Sequence, residues 1–272
     1  MEYFLRDAGC LLPNTQNDYN ARMDRAVALC RKLSIQIQIT LSQEQFLDQD
    51  GRWIEPMAAQ LQGFNNVLVH LHTRDNLPFG NNSYTATVFR QLRRFSDLCP
   101  SLKGICVHPD LISHYDIWRE LSSPRYYIAI EVLDGNALFG HRKRHIETLL
   151  NNYAYFDLVL DTAHIMETQA MGEPSLSQYA SLFRSRIREI QVSHNGNYYQ
   201  RMPESFTTAH SLFAVAGNSE ETIRVIKDLD DINVVIEGVI PPGPDGEQLL
   251  EQELSILQDQ QQLPPNNARQ YG

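Results

Sequence analysis

Successive apolar runs in this chain end on residues that can hold a metal ion. They are His70 in "NVLVHLH" (66–72), His108 closing "GICVH" (104–108), Glu131 closing "YYIAIE" (126–131), Asp161 closing "FDLVLD" (156–161), His194 closing "REIQVSH" (188–194) and Glu237 closing "INVVIE" (232–237). Two glutamates, an aspartate and several histidines form a mixed oxygen and nitrogen donor set. Such a set suits a divalent ion such as Mn²⁺, Mg²⁺, Zn²⁺, Fe²⁺ or Co²⁺, and the absence of cysteine from it argues against a structural thiolate zinc site. Carboxylates buried side by side repel one another and lose hydration, a conflict that a bound cation resolves. A lone aspartate or histidine at a strand end more often caps the next helix or joins a loop hydrogen bond. The metal reading therefore rests on the coincidence of the set; His72 can be read either way.

The elements that must position these residues are legible in the same runs. With "EYFLRD" (2–7) and "SIQIQITL" (34–41) they make eight candidate strands. Between them lie stretches with helical spacing: Met23, Val27 and Cys30, then Val88, Leu92 and Phe95, then Leu176, Tyr179, Leu182 and Phe183. Ser219 followed by two glutamates predicts an N-cap. Strands that are apolar at consecutive positions are buried on both faces, as parallel strands are when helices cover them. Strand and helix alternating throughout predict a single-domain α/β fold, a (β/α)8 TIM barrel over residues 1–258, with 259–272 as a solvated or disordered tail. An open doubly wound sheet is the alternative, but no GxGxxG follows the first strand. In a parallel barrel all strand C-termini lie on one face, so the metal-ligand types would converge over one mouth.

The formal charge of −10 opposes nucleic-acid binding in the absence of a basic patch, and none stands out. Cys10, Cys30, Cys99 and Cys106 show no CxxC pair or framework spacing and read as reduced thiols. No run of 18 apolar residues suggests a membrane span, and Glu2, Arg6 and Asp7 interrupt what a signal peptide would need. A cytoplasmic protein is expected, with room for a homo-oligomer.

In their order, Glu131, "DTAH" (161–164), "VSHNG" (192–196) and "VIEG" (235–238) resemble the xylose-isomerase-like TIM-barrel superfamily. That group holds sugar isomerases, ketose 3-epimerases and apurinic endonucleases. The resemblance implies that Glu131, Asp161, His194 and Glu237 hold one divalent cation. It also implies that Glu131 and Glu237 exchange protons with a small carbohydrate substrate, and that His164, Arg201 and His210 contact it. The endonuclease branch matches further positions: His70, "HPD" (108–110) and "TAH" (208–210), with Thr208 standing where an aspartate ligand of a third zinc is expected.

Two reactions compete. A sugar or sugar-phosphate isomerase or epimerase needs one metal and two carboxylates on opposite faces of the carbon that loses its proton. A phosphoester hydrolase needs two or three metals, which would employ His70 and His108. The acidic chain and Thr208 favour the first, while a barrel that has lost activity and serves as a binding protein is a reading from outside enzymology. "HRKRH" (141–145) reads as a solvated basic face on a helix, and the loops 72–84, with Arg74, and 195–206 read as covering the mouth.

Overall fold

In a computed structural model, residues 1–12, 18–72, 77–196, 198–199, 210–229 and 231–258 are described. The eight runs form parallel strands β1 (Glu2–Arg6), β2 (Gln36–Leu41), β3 (Val67–Leu71), β4 (Leu102–Val107), β5 (Tyr127–Glu131), β6 (Phe156–Asp161), β7 (Ile187–Val192) and β8 (Asn233–Ile236). They close in sequence order, β8 pairing with β1, into a barrel. His108, His194 and Glu237 thus lie just past their strands.

Outward-facing residues such as Val69, Ile105, Ile130, Leu158 and Ile190 join the main core under the helices. Alternate residues fill the barrel: Phe4, Leu68 and Val235 in one cluster, Cys106, Ala129 and Val159 in another, with Tyr127 against both. Polar groups continue that interior. Glu189 accepts from Gln38 at 2.7 Å, Gln191 at 2.9 Å and the Tyr127 hydroxyl at 3.2 Å. Burial pushes Glu189 up to about 7 against the pull of the two glutamines.

The helical spacings hold in α1 (Tyr19–Leu33), α4 (Ser83–Leu98) and α7 (Leu176–Phe183), between which run the short α2 (Gln43–Leu47) and α3 (Ile54–Gln60), α5 (Lys143–Asn152) and α6 (Thr162–Ala170). They are followed by α8 (Phe213–Ala216), α9 (Glu220–Asp228) and α10 (Pro244–Gln258).

Four expectations are corrected. Leu182 is exposed, since it falls off the face of α7 that Leu176 and Tyr179 bury. Ser219 precedes α9, but its side chain makes no capping bond, because its backbone is not extended as a side-chain cap requires. No α-helix joins β4 to β5; the 3-10 turns Pro109–Leu111 and Asp116–Leu121 do so. In "HRKRH" the basic face is not fully solvated: His141 is buried, accepts from Arg142 and packs edge-on to His145, which stacks on Phe139. The four cysteines are free and buried. None of the described helices is long and apolar enough to cross a membrane. The expected tail, Arg74, Arg201 and Thr208 lie outside the described residues.

Candidate active site

Strand side chains alternate between faces, so the inward set of each strand decides what reaches the mouth. Two residues beyond the interior positions Phe4, Leu68, Cys106, Ala129, Val159 and Val235 stand Arg6, His70, His108, Glu131, Asp161 and Glu237. On β7 the inward positions are Glu189 and Gln191, followed by Ser193, which leaves His194 one residue out of register.

Four of these ends form a chain of hydrogen bonds. Arg6 donates through Nη1 to Glu237 Oε1, and through Nη2 to His70 Nδ1 at 3.0 Å. A guanidinium has donors only, so His70 Nδ1 accepts and the ring proton resides on Nε2. That proton is directed at Glu131 Oε2, 3.0 Å away. His108 Nε2 stands 3.6 Å from the same oxygen, and the Cys106 thiol bonds it at 3.5 Å. Arg6 is the residue of this cluster that sequence reasoning passed over; counting inward positions by twos along "EYFLR" would have found it.

Asp161 answers for the D-x-x-H spacing. It ends β6 and caps α6, its Oδ1 accepting the His164 backbone N–H at 3.0 Å. The cap starts the helix in the orientation that brings the His164 ring over the mouth. His164 Nδ1 bonds the Val132 carbonyl at 3.2 Å and lies 3.4 Å from Glu131 Oε1 and 3.7 Å from Asp161 Oδ2. His210 returns to the mouth on a two-residue antiparallel ribbon, His194–Asn195 against His210–Ser211. There it meets Ser193 Oγ at 2.8 Å, with its ring centroid 5.3 Å from that of His164.

The charges follow from burial and neighbours. Burial, helped by Arg6, pushes His70 down to about 3 and, less strongly, His108 to about 4, so both are neutral at pH 7. Burial also opposes a charge on His164, yet Asp161 and Glu131 outweigh it and hold this imidazole up to about 10. Around Glu131 burial favours the neutral acid, but His108, His164 and His70 prevail and hold its carboxyl well below the usual range. Burial keeps the Cys106 thiol protonated, and the Glu131 charge adds to that.

Glu131 Oε1, Asp161 Oδ2 and Glu237 Oε2 are each buried without a hydrogen-bond partner. The first two have the charged His164 ring at 3.4 and 3.7 Å, and carboxylate oxygens left without a hydrogen bond at the ends of β5 and β6 and just past β8 are the donor type that a hard divalent cation takes. Among the described residues two groups of donor atoms lie within 4.8 Å of one another: His70, Cys106 and Glu131, and Asp161, His164 and His210. The first is less suited to an ion, because both His70 nitrogens are engaged, Nδ1 by Arg6 and Nε2 by Glu131. His194 belongs to neither group. Its Nδ1 bonds the Asn195 carbonyl at 2.8 Å, and its ring packs edge-on to Tyr198 and Phe213.

Above the site a cavity of about 400 Å³ is lined by His108, Asp110, Asp134, Asn136 and His164. A larger one, about 680 Å³, lies at the opposite end of the barrel among Glu2, Asn66, Lys103 and Asn233, away from these residues.

No protein-family model matches this sequence, and no curated protein is similar to it in sequence. Solved structures are similar to it in fold. A probable 3-DHS dehydratase, AsbF, from Bacillus anthracis superposes with a TM-score of 0.62 at 13% identity, over 96% of this chain and 100% of its own. A D-allulose 3-epimerase from a Methylomonas species gives 0.62 at 14% identity, over 94% and 96%. A xylose isomerase domain containing protein from Salmonella typhimurium gives 0.58 at 13% identity, over 94% and 97%. The chain therefore shares the (β/α)8 barrel fold of these proteins.

Proposed function

We propose that this protein is a divalent-metal-dependent isomerase or epimerase of a sugar or sugar phosphate, acting by proton transfer through an enediolate. One observation carries the reading. Glu131 and Glu237 each have one oxygen hydrogen-bonded, to His70 and to Arg6, and one buried without a hydrogen bond, that of Glu131 lying 3.4 Å from His164 Nδ1. Two carboxylates held this way at separate strand ends are poised to remove a proton from the carbon beside a carbonyl and to return one on its other side. Glu131, Asp161 and Glu237 would hold the metal together with an imidazole of the Asp161–His164–His210 group, and it would supply Lewis acidity at the carbonyl and hydroxyl oxygens. The His164 ring lines the same cavity and can contact substrate oxygens, while Asp134 and Asn136 at the cavity wall offer partners for hydroxyls.

The names of two fold neighbours, an epimerase and a dehydratase, are in keeping with this, since either reaction can begin by removing a proton beside a carbonyl. A phosphoester hydrolase is the second reading, favoured by the convergence of His70 and His108 on one Glu131 oxygen. Against it, His70 has no free lone pair for an ion while Arg6 and Glu131 hold it.

The reading is tested by incubating ketoses and ketose phosphates with protein and Mn²⁺ in heavy water. Deuterium should enter at the carbon next to the carbonyl, and turnover should fall by orders of magnitude in Glu131→Gln and Glu237→Gln. Absence of exchange across a broad sugar panel, with phosphoesters cleaved instead, would reverse the choice.

A further inference from the structure

We infer that Arg6 is a built-in second cation of this site: its guanidinium closes the His70–His108–Glu131 corner to metal and so limits the centre to one ion. The inference rests on the metal-dependent reading above and adds a residue and a stoichiometry to it.

Arg6 is 8% exposed and sits at the inward end of β1, bridging Glu237 and His70. A metal-binding imidazole must offer a lone pair. In His70 the Nδ1 pair is taken by Arg6, and Nε2 holds the hydrogen directed at Glu131. Exchanging the roles of the two nitrogens would set a ring N–H against the guanidinium, donor against donor. Arginine does not give up its proton under physiological conditions, so this block does not open as a lysine's or a histidine's could. His108, its ring centroid 5.0 Å from that of His70 and 6.0 Å from that of His72, has Glu131 Oε2 at 3.6 Å, and with His70 held by Arg6 this corner lacks the His70 imidazole as a ligand. The same bridge fixes which oxygen of Glu237 remains available. Arg6 thus acts as a positioning residue: it neutralises one carboxylate, orients Glu131 through His70, and occupies the place in which a second cation would otherwise be stabilised.

The test counts ions. Chelator-stripped full-length protein is equilibrated with excess Zn²⁺, desalted, and measured for zinc per chain, alongside Arg6→Met and Arg6→Met/His108→Ala. Arg6→Met should bind one more zinc per chain than the parent, and the double variant should lose that added ion. The gain is counted relative to the parent, so a parent that binds no zinc refutes the proposed function while the gain still decides the role of Arg6. No gain in a folded Arg6→Met overturns the inference. Should that variant fail to fold, nitrogen NMR of the parent decides. The His70 ring should keep its Nε2 proton and an unprotonated Nδ1 through zinc saturation, and zinc-induced loss of that proton would refute the block.

Discussion

Asp161 uses one carboxylate oxygen to cap α6, while the other is buried without a hydrogen bond, 3.7 Å from His164 Nδ1. The two uses can be separated by substitution. Asparagine caps a helix about as well as aspartate, whereas alanine does not, at a cost of roughly 1 kcal/mol. In chelator, where metal contributes nothing to stability, Asp161→Asn is expected to stay within about 1 kcal/mol of the parent by denaturant unfolding, and Asp161→Ala to lose a further ~1 kcal/mol. With metal restored, both should bind it more weakly. Parent-like metal affinity in the asparagine variant would remove Asp161 from the ligand set.

At the scale of elements, the register of two along each strand sorts His194 from Glu131 and Asp161. A second device joins α10 to α8: Glu253, fully buried on α10, accepts the Ala214 backbone N–H at 2.7 Å. Burial pushes this carboxyl from an ordinary 4.5 up to about 7, against the backbone bonds that lower it. The folded state therefore binds the proton more tightly than the unfolded chain does. Its contribution is fully present below about pH 4.5 and is lost as pH rises through about 7, on the order of 3 kcal/mol at most. Glu253→Gln keeps the accepting oxygen and cannot ionise. Unfolding free energies measured from pH 5 to pH 8 should fall less steeply in this variant than in the parent; parallel curves would rule out Glu253 as the titrating group.

At the scale of the whole molecule, the candidate site lies at the C-terminal end of the strands, while the interior toward the N-terminal end is packed shut. Near the N-terminal end the Tyr127 ring fills the interior, its hydroxyl held between Asn233 and Glu189. Gly104 makes room for it, since a Cβ there would come within 2.1 Å of the ring. Gly104→Ala is expected to cost about 1–3 kcal/mol through overpacking, with kcat unchanged at temperatures where the variant is folded. Adding Tyr127→Leu should recover part of the loss. Thermal melts of the three proteins check this, and an unshifted melt in Gly104→Ala would mean that the ring yields without cost.

Much of this architecture is local and so was readable in the chain. Apolar runs of strand length and helical spacing between them are set by neighbours within a few residues, and they predicted the closed barrel and the strand ends that carry His70, Glu131 and Asp161. What the one-dimensional pattern could not supply was which atoms touch across the mouth. Arg6 and Glu237 stand 231 residues apart and meet because β1 closes the barrel against β8. His194 looked equivalent to its companions at a strand end, yet β7 stops at Val192 and turns it toward Tyr198 and Phe213. The tautomer of His70, the charge on His164 and the carboxylate oxygens without a hydrogen bond depend on distances of a few ångströms between strands, which closure of the barrel sets and the order of residues along one strand does not.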